Sequence, residues 1–488
     1  MVGSTLLSAK EIKDIISGYE NKELALDEMQ KVADAITDAY RQKGYVTSRA
    51  YLAPQKIVGG NLEIRVIEGF TGDIQVKGNR YFKTELYRKK IALKRGDPFN
   101  YEMLRKGMSS INELPDRNAK AVLSPGKEAG TTDVILEAKD RLPIHIGFDW
   151  DNFGSRYIEE NRFRTTLTDN NLFGRDDIFV LQYQLSEGDH YKLLMLRYLF
   201  PVNDNLQIGF FTARSYLDLG KELEVLNARG KSTYYSLYAT QTLINKENMN
   251  LSLSLGFDYK DIFNFQGGDE QSRDRMRVLK LGAEWDMSDK YGRTLVTNEI
   301  DFGIPHLMGG LHRKDAHASR TGAGGKFVKD VLYILRLQKM PWESMLLWKN
   351  QFQFTNNILT GAEQFQIGGI INVRGYPPAE VVGERGYAMT WEWSFPPYFI
   401  SKGIKVPLSK AKLYDALRFV AFYDWANTAL KRPQLDEQKN RTLRSIGCGL
   451  RLNLPEDFSI RLEFAWPLDN KPSNGNNVQT LASVVKNF

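Results

Sequence analysis

The sequence predicts an all-β transmembrane antiparallel β-barrel of 16 strands preceded by two small α+β units, and three observations carry that prediction. Near residue 142 the chain changes from helical periodicity to strict apolar/polar alternation. The alternating part divides into 16 segments, an even number, each roughly 10 to 15 residues long, joined by short turns at one end and longer loops at the other. In these segments one face is apolar and rich in aromatics while the other is polar and often charged, as in strands that separate two media.

Taken in order, residues 9–43 read as helical. Met29, Val32, Ala33, Ile36, Ala39 and Tyr40 recur at the i, i+3, i+4, i+7 spacing of an amphipathic helix, and Gly44 is placed to end it. Extended segments follow at 45–52 and 62–68, where Leu62, Ile64 and Val66 alternate with charged residues. The plan then recurs, with a strand at 73–78, helices at 83–92 and 101–112, and strands at 118–124 and 131–138. Domains are therefore expected at 1–69, 70–141 and 142–488.

The first unit lacks the opening strand of the second. Gly3-Ser4 leading into Thr5-Leu6-Leu7 corresponds to Gly78-Asn79, so only Met1 and Val2 stand where the second unit has Asp73–Val76. A two-stranded sheet would leave an exposed edge in a unit of marginal size. Residues 1–18 also lack a charged segment followed by an apolar one, so the expectation is a native precursor carrying a signal peptide and the missing strand upstream.

The barrel segments start near 144, 161, 176, 190, 205, 231, 248, 272, 291, 324, 342, 385, 415, 441, 457 and 478. Alternation is clearest in Ile144, Ile146, Phe148 and Trp150, in Leu251 to Tyr259, in Tyr387 to Phe395, and in Phe458 to Trp466. Most connections at one end are tight, as at 201–205, 245–248, 289–290 and 455–457, and the other end carries loops at 216–230, 305–323 and 356–384. A soluble sandwich would show the same alternation. Segment length, even number, aromatic outer face and loop asymmetry together select the membrane barrel.

Composition removes other classes. The longest apolar run, Phe419–Tyr423, falls far short of the roughly 20 residues a spanning helix needs. One cysteine permits neither an intramolecular disulfide nor a multi-cysteine metal site, and Cys448 shares the parity of the apolar Ile446, Leu450 and Leu452. His306, His312 and His317 read as solvated residues of one outer loop, so no metal is expected. Gly322, Gly324, Gly325 and Lys326 have the wrong spacing for a phosphate loop, with Phe327 where Ser or Thr should stand. No nucleophile elbow or triad is present, so no enzyme, cofactor or nucleic-acid partner is expected.

Specific strings then become recognisable: TLLSAKEI at 5–12, YRQKGYVTSRAYLAPQ at 40–55, LEIRVIEG at 62–69, IQVKGNRYF at 74–82 and DNNLFGRDD at 169–177. The tetrad Val373, Arg374, Gly375, Tyr376 lies in the 356–384 loop, and FYDWA at 422–426 follows on the thirteenth barrel segment, with Ala426 where a glycine is usual. In this order the set resembles the outer-membrane transporters of two-partner secretion, of the Omp85 superfamily, whose barrel is preceded by two POTRA domains.

That resemblance implies an outer-membrane protein with periplasmic POTRA domains that exports one large partner without ATP. The partner's N-terminal secretion domain docks on the POTRA units, passes through the barrel unfolded and folds outside. Docking is assigned to Tyr45, Val46, Leu62, Ile64 and Val66. The resemblance further implies a monomer in outer-membrane lipid, assembled by the barrel-assembly machinery, and pairing of the tetrad Arg374 with Asp424 beside Phe422. The residues agree on one point independently: Leu417, Phe419, Ala421, Tyr423 and Trp425 form a lipid face, so Asp424 points into the lumen. Gly375 is expected to allow a tight backbone at the loop tip with Tyr376 packed beside it, and Phe488 to end the closing strand. The alternatives are a barrel-assembly insertase of the same superfamily, which normally carries more POTRA units, and a passive porin, which needs none.

Overall fold

The computed structural model describes residues 1–407 and 409–488. It forms two compact units, Met1–Pro143 with Phe173–Arg175, and the remaining residues from Ile144 onward.

In the first unit, α1 (Ala9–Ile16) starts at a capping box in which the Glu11 carboxylate accepts the Ser8 amide at 2.9 Å. The single helix expected over 9–43 is in fact two. Ser17 caps α1, Asn21 takes a positive φ of 59°, and α2 (Leu26–Gln42) begins after Ala25. Gly18 and Asn21, poor helix formers that favour turns, account for the break. The apolar face of α2 (Val32, Ala33, Ile36, Tyr40) packs on β1 (Arg49–Leu52) and β2 (Ile64–Ile67), which pair antiparallel. Beyond β2 there is one parallel bridge: the Val2 amide donates to the Ile64 carbonyl and the Val66 amide to the Val2 carbonyl, both at 3.0 Å.

The following residues fill that lane with a whole strand. β3 (Phe70–Lys77) runs parallel to β5 (Thr131–Asp140), whose other edge carries β4 (Arg117–Pro125) antiparallel, so the order is β3-β5-β4. Two helices, α3 (Thr84–Ile91) and α4 (Tyr101–Ile111), cover this sheet, burying Phe82, Tyr87, Ile91, Leu104, Val134 and Leu136. They approach so closely that a Cβ on Gly107 would lie 2.6 Å from the Ile91 Cα.

The second unit is a closed antiparallel barrel of sixteen strands. In chain order these are β6 (Ile144–Asp151), β7 (Arg162–Asp169), β8 (Ile178–Ser186), β9 (Tyr191–Pro201), β10 (Leu206–Asp218), β11 (Arg229–Lys246), β12 (Met249–Gln266), β13 (Asp269–Asp289), β14 (Gly292–Gly303), β15 (Val328–Lys339), β16 (Met345–Thr355), and, after a hairpin of β17 (Phe365–Ile367) and β18 (Val381–Gly383), β19 (Arg385–Phe395), β20 (Leu417–Ala429), β21 (Asn440–Leu454), β22 (Phe458–Pro467) and β23 (Gln479–Asn487). All sixteen alternating segments are therefore barrel strands, although β11, β12 and β13, at 18, 18 and 21 residues, outrun the expected length. No described helix is long and apolar enough to cross a membrane.

Parity follows the alternation. Along β20, Val420, Phe422, Asp424, Ala426 and Thr428 are buried, while along β21 Ile446, Cys448 and Leu450 are exposed and Ser445, Gly447 and Gly449 are not. Closure is made by β23 on β6, from Ser483 opposite Asp151 to Asn487 opposite Gly147. Phe488 extends it, exchanging backbone hydrogen bonds with Ile146 at 2.9 and 3.3 Å, with its ring edge-on to Phe148 at 6.3 Å. An unpaired edge in hydrocarbon would leave each backbone group several kcal/mol out of balance, which is why the last strand must meet the first.

Candidate functional site

The 356–384 connection does not stand away from the barrel; it folds into the lumen against one wall. Its hairpin β17–β18 supplies Phe365, Ile367 and Val381, which with Val373 and Tyr376 form a buried cluster on Ala388, Ala426 and Leu443, inward positions of β19, β20 and β21. Apolar packing therefore sets the hairpin's position, and charged groups fix the loop's tip.

Arg374 is 3% exposed. Its Nε and Nη2 donate to the two oxygens of Asp424, each at 2.9 Å, and its backbone amide donates to the same carboxylate at 3.1 Å. Nη1 donates to Glu392 at 2.7 Å and to Glu463 at 3.2 Å. The guanidinium also lies over the Phe422 ring, 3.3 Å from its centroid. Arg451 bridges Glu392 and Glu463 from the other side, with Nη1 at 2.6 Å from Glu392 and Nε at 2.9 Å from Glu463. Arg461 donates to Glu463 at 2.7 and 2.8 Å. Three carboxylates from β19, β20 and β22 thus meet three guanidiniums, and the loop contributes one of these, so the buried charge is balanced only while the loop is in place.

The expected site residues are brought together here: Val373, Arg374, Gly375, Tyr376, Phe422 and Asp424 share one volume. Gly375 is required for a reason other than the expected one. It does not use the left-handed backbone region; a Cβ there would lie 2.6 Å from the Ser445 Cβ and 3.0 Å from the Pro467 nitrogen, so glycine lets the tip touch the wall. The Tyr376 hydroxyl accepts the Asp469 amide at 3.2 Å.

Sequence reasoning missed two further anchors at the ends of the loop. Glu363 is 2% exposed and sits between Lys260 of β12, at 2.8 Å, and Lys329 of β15, at 2.5 Å. Glu384, fully buried, forms an ion pair with Arg320 at 3.0 Å and accepts the Lys431 amide at 2.8 Å, and Arg320 also holds Glu437 at 2.8 Å. Glu392 and Glu463 were visible as charged members of polar faces, but only the register of non-adjacent strands puts them on Arg374.

The docking residues assigned in the first unit are not a surface. Ile64 and Val66 are buried in its core, Tyr45 and Leu62 pack against that core, and Val46 alone is exposed. Their alternation is the ordinary inward parity of β2. The second sheet has β3 and β4 as its edge strands, and on β4 Val122 and Leu123 are exposed.

Directly after β2, the Glu68 carboxylate accepts the Thr5 amide at 2.6 Å, the Leu6 amide at 2.8 Å and the Tyr40 hydroxyl at 2.7 Å, besides the Thr5 hydroxyl. Burial pushes this carboxyl up, but the Thr5, Tyr40 and Leu6 donors together hold it below the usual carboxylate range. His306 and His312 meet ring to ring at 4.4 Å and His317 faces Asp315 at 3.2 Å; among the described residues no group of three or more metal-ligating side chains converges.

Comparison with known proteins fits this geometry. A family model described as haemolysin secretion/activation protein ShlB/FhaC/HecB matches residues 130–415, a ShlB-type POTRA model matches 1–69, and a POTRA model described as surface antigen variable number repeat matches 70–118. A heme/hemopexin transporter protein HuxB of Haemophilus influenzae is 24% identical over 98% of this chain and 84% of its own length. An outer membrane transporter CdiB of Dickeya dadantii is 23% identical over 80% of this chain and 72% of its own. The solved structure of CdiB from Escherichia coli shares the fold, with a TM-score of 0.78 and 21% identity over 100% of this chain and 89% of the other.

Proposed function

Because the chain belongs to the ShlB/FhaC/HecB family of haemolysin secretion/activation proteins, we propose that it exports one large exoprotein across the outer membrane by two-partner secretion. In this reading the N-terminal POTRA units lie in the periplasm and capture the exoprotein's N-terminal secretion domain, and the barrel conducts it unfolded. The observation that carries the reading is the 356–384 loop held in a polar lumen by Arg374 on Asp424. A pore that must pass a polypeptide, yet not leak, needs a plug fixed by contacts that can be exchanged. Buried ion pairs inside a polar lumen suit this: they are specific while closed, and water can replace each hydrogen bond when they part.

Capture is assigned to the unpaired edge of β4, where an extended segment can add as a further strand. Backbone hydrogen bonds then supply affinity with little demand on sequence. Transport without ATP follows if folding outside the cell makes the step irreversible. The protein acts as a monomer in outer-membrane lipid after insertion by the barrel-assembly machinery. An insertase would use the same barrel, but HuxB and CdiB are named transporters and the matching family is one of haemolysin secretion/activation proteins. A porin would have no use for the N-terminal units. Co-expression with an exoprotein that carries such a secretion domain tests the proposal: the exoprotein should reach the medium only when this chain is present.

A further inference from the structure

At the barrel end where most turns are tight, the connection from β19 to β20 is long, spanning 396–416 with α5 (Leu413–Ala416) at its close. Its first residues fold back on the outside of the barrel. Phe395 and Phe419 are cross-strand partners on the lipid-facing parity of Trp391 and Trp393, stacked with centroids 5.8 Å apart. Tyr398 stacks on Phe395 at 6.1 Å and Phe399 leans on Phe419 at 5.6 Å. The Tyr398 hydroxyl donates to the carbonyl of Trp342, in the neighbouring turn, at 2.8 Å. Even so, Phe399 is 80% exposed and Trp342 78% exposed. Large aromatics in this position, continuous with the lipid face and ending at its rim, belong at a membrane–water interface.

The rest of the connection is basic. From Pro396 to Ala416 the sequence contains Lys402, Lys405, Lys410 and Lys412 against a single acidic residue, Asp415. Lys402 is used internally, on Glu343 at 2.8 Å. The others are exposed and enter no ion pair among the described residues. Lys405 and Lys412 are antiparallel bridge partners, fixed by hydrogen bonds from the Val406 amide to Ala411 at 3.0 Å and from the Leu413 amide to Ile404 at 2.8 Å. The Ser409 hydroxyl ties the segment to Glu456 at 2.8 Å. Like charges directly opposite each other are unfavourable unless an anion lies between them.

We propose that this turn is a docking surface for anionic phospholipid in the adjoining leaflet, with Lys405 and Lys412 straddling a headgroup phosphate and Trp342, Tyr398 and Phe399 seated beside its acyl chains. The aromatic side commits the surface to a lipid rather than to free phosphate, and the basic side to an anionic lipid rather than a zwitterionic one. It rests on the functional reading above only for placing this end of the barrel at the inner leaflet.

The test uses the purified full-length chain in mixed micelles of phosphatidylglycerol and phosphatidylcholine, with retained lipid counted by native mass spectrometry. The wild type should retain phosphatidylglycerol with a preference of about fivefold or more, the effect of roughly one lysine at an anionic surface. The double variant Lys405→Gln/Lys412→Gln should lose that preference, and Lys405→Arg/Lys412→Arg should keep it, with heat-modifiable gel mobility confirming a folded barrel in each. An unchanged preference in the glutamine variant, or none in the wild type, overturns the proposal. Complete displacement of the lipid by excess inorganic phosphate also overturns it, in favour of a simple phosphate site. No exoprotein enters this measurement, so lost export with an intact lipid preference would count against the translocator reading and not against this one.

Discussion

Arg374 and Asp424, separated by 50 positions in the chain, are joined by three hydrogen bonds, two from the guanidinium and one from the Arg374 amide, to a single carboxylate that solvent does not reach. Because backbone and side chain grip the same group, the pair fixes the loop's path as well as its charge. Glu392 and Glu463 complete the guanidinium's shell.

Removing either partner should therefore impair export while the barrel still inserts, and the two variants should differ. Arg374→Ala leaves Asp424 without its ion-pair partner and Glu392 and Glu463 with only Arg451 and Arg461, whereas Asp424→Ala leaves Arg374 with two carboxylates. Breaking a fully buried pair costs about 3–5 kcal/mol, and less where water enters. Export should fall by about tenfold or more for Arg374→Ala, the factor that a loss of about 1.4 kcal/mol gives, and by less for Asp424→Ala. Exoprotein in the culture supernatant and heat-modifiable mobility check the two halves of the statement; normal export in both variants would refute the lock.

Cys448 stands on the lipid face of β21, between the exposed Ile446 and Leu450. In intact outer membranes it should react with a membrane-soluble maleimide and resist a charged, impermeant one. Rapid reaction from the aqueous side would mean that β21 is one residue out of register, since a single slip exchanges the two faces.

Deleting Ala482–Phe488 should abolish assembly. It removes all five partners of β6 on β23, together with the backbone exchange between Phe488 and Ile146. A stable, inserted truncated protein would contradict barrel closure through this strand.

The first unit should be acid-labile through Glu68. Its carboxyl lies below the usual range in the folded protein, so it contributes stability that is present above the unfolded carboxylate's pKa, about 4.3, and lost as pH falls through the lower folded value. Hydrogen exchange of the full chain should show amides of residues 1–69 losing protection below about pH 4 before the barrel does. Glu68→Gln should remove most of that pH dependence and lower protection at neutral pH; equal protection in wild type and variant at both pH values would contradict the assignment.

Much of this architecture was legible because a barrel strand writes its environment in every second residue. Parity alone placed Asp424 inward and Cys448 outward, and each strand could be found without knowing its neighbours. What could not be read depended on register between strands remote in sequence. Glu363 meets Lys260 and Lys329 from strands on either side of β13 and β14, and nothing local marks any of the three. The break in the helix over 9–43 was obscured because apolar spacing on both sides of Asn21 fits a helix, while the turn depends on one backbone angle. At Ile64 and Val66 alternation correctly marked a strand, while the docking role taken from the resemblance does not fit side chains that belong to the core.

The most direct test of the translocator account is vesicle uptake with this chain as the only protein in the bilayer and no nucleotide present. An unfolded exoprotein bearing the N-terminal secretion domain is added on the side that carries the POTRA units, and its protection from added protease is followed with time. The account predicts protected exoprotein with the wild-type chain, strongly reduced protection with Arg374→Ala, and none with empty vesicles. Equal protection with and without the chain, or uptake that appears only when ATP is supplied, would contradict it.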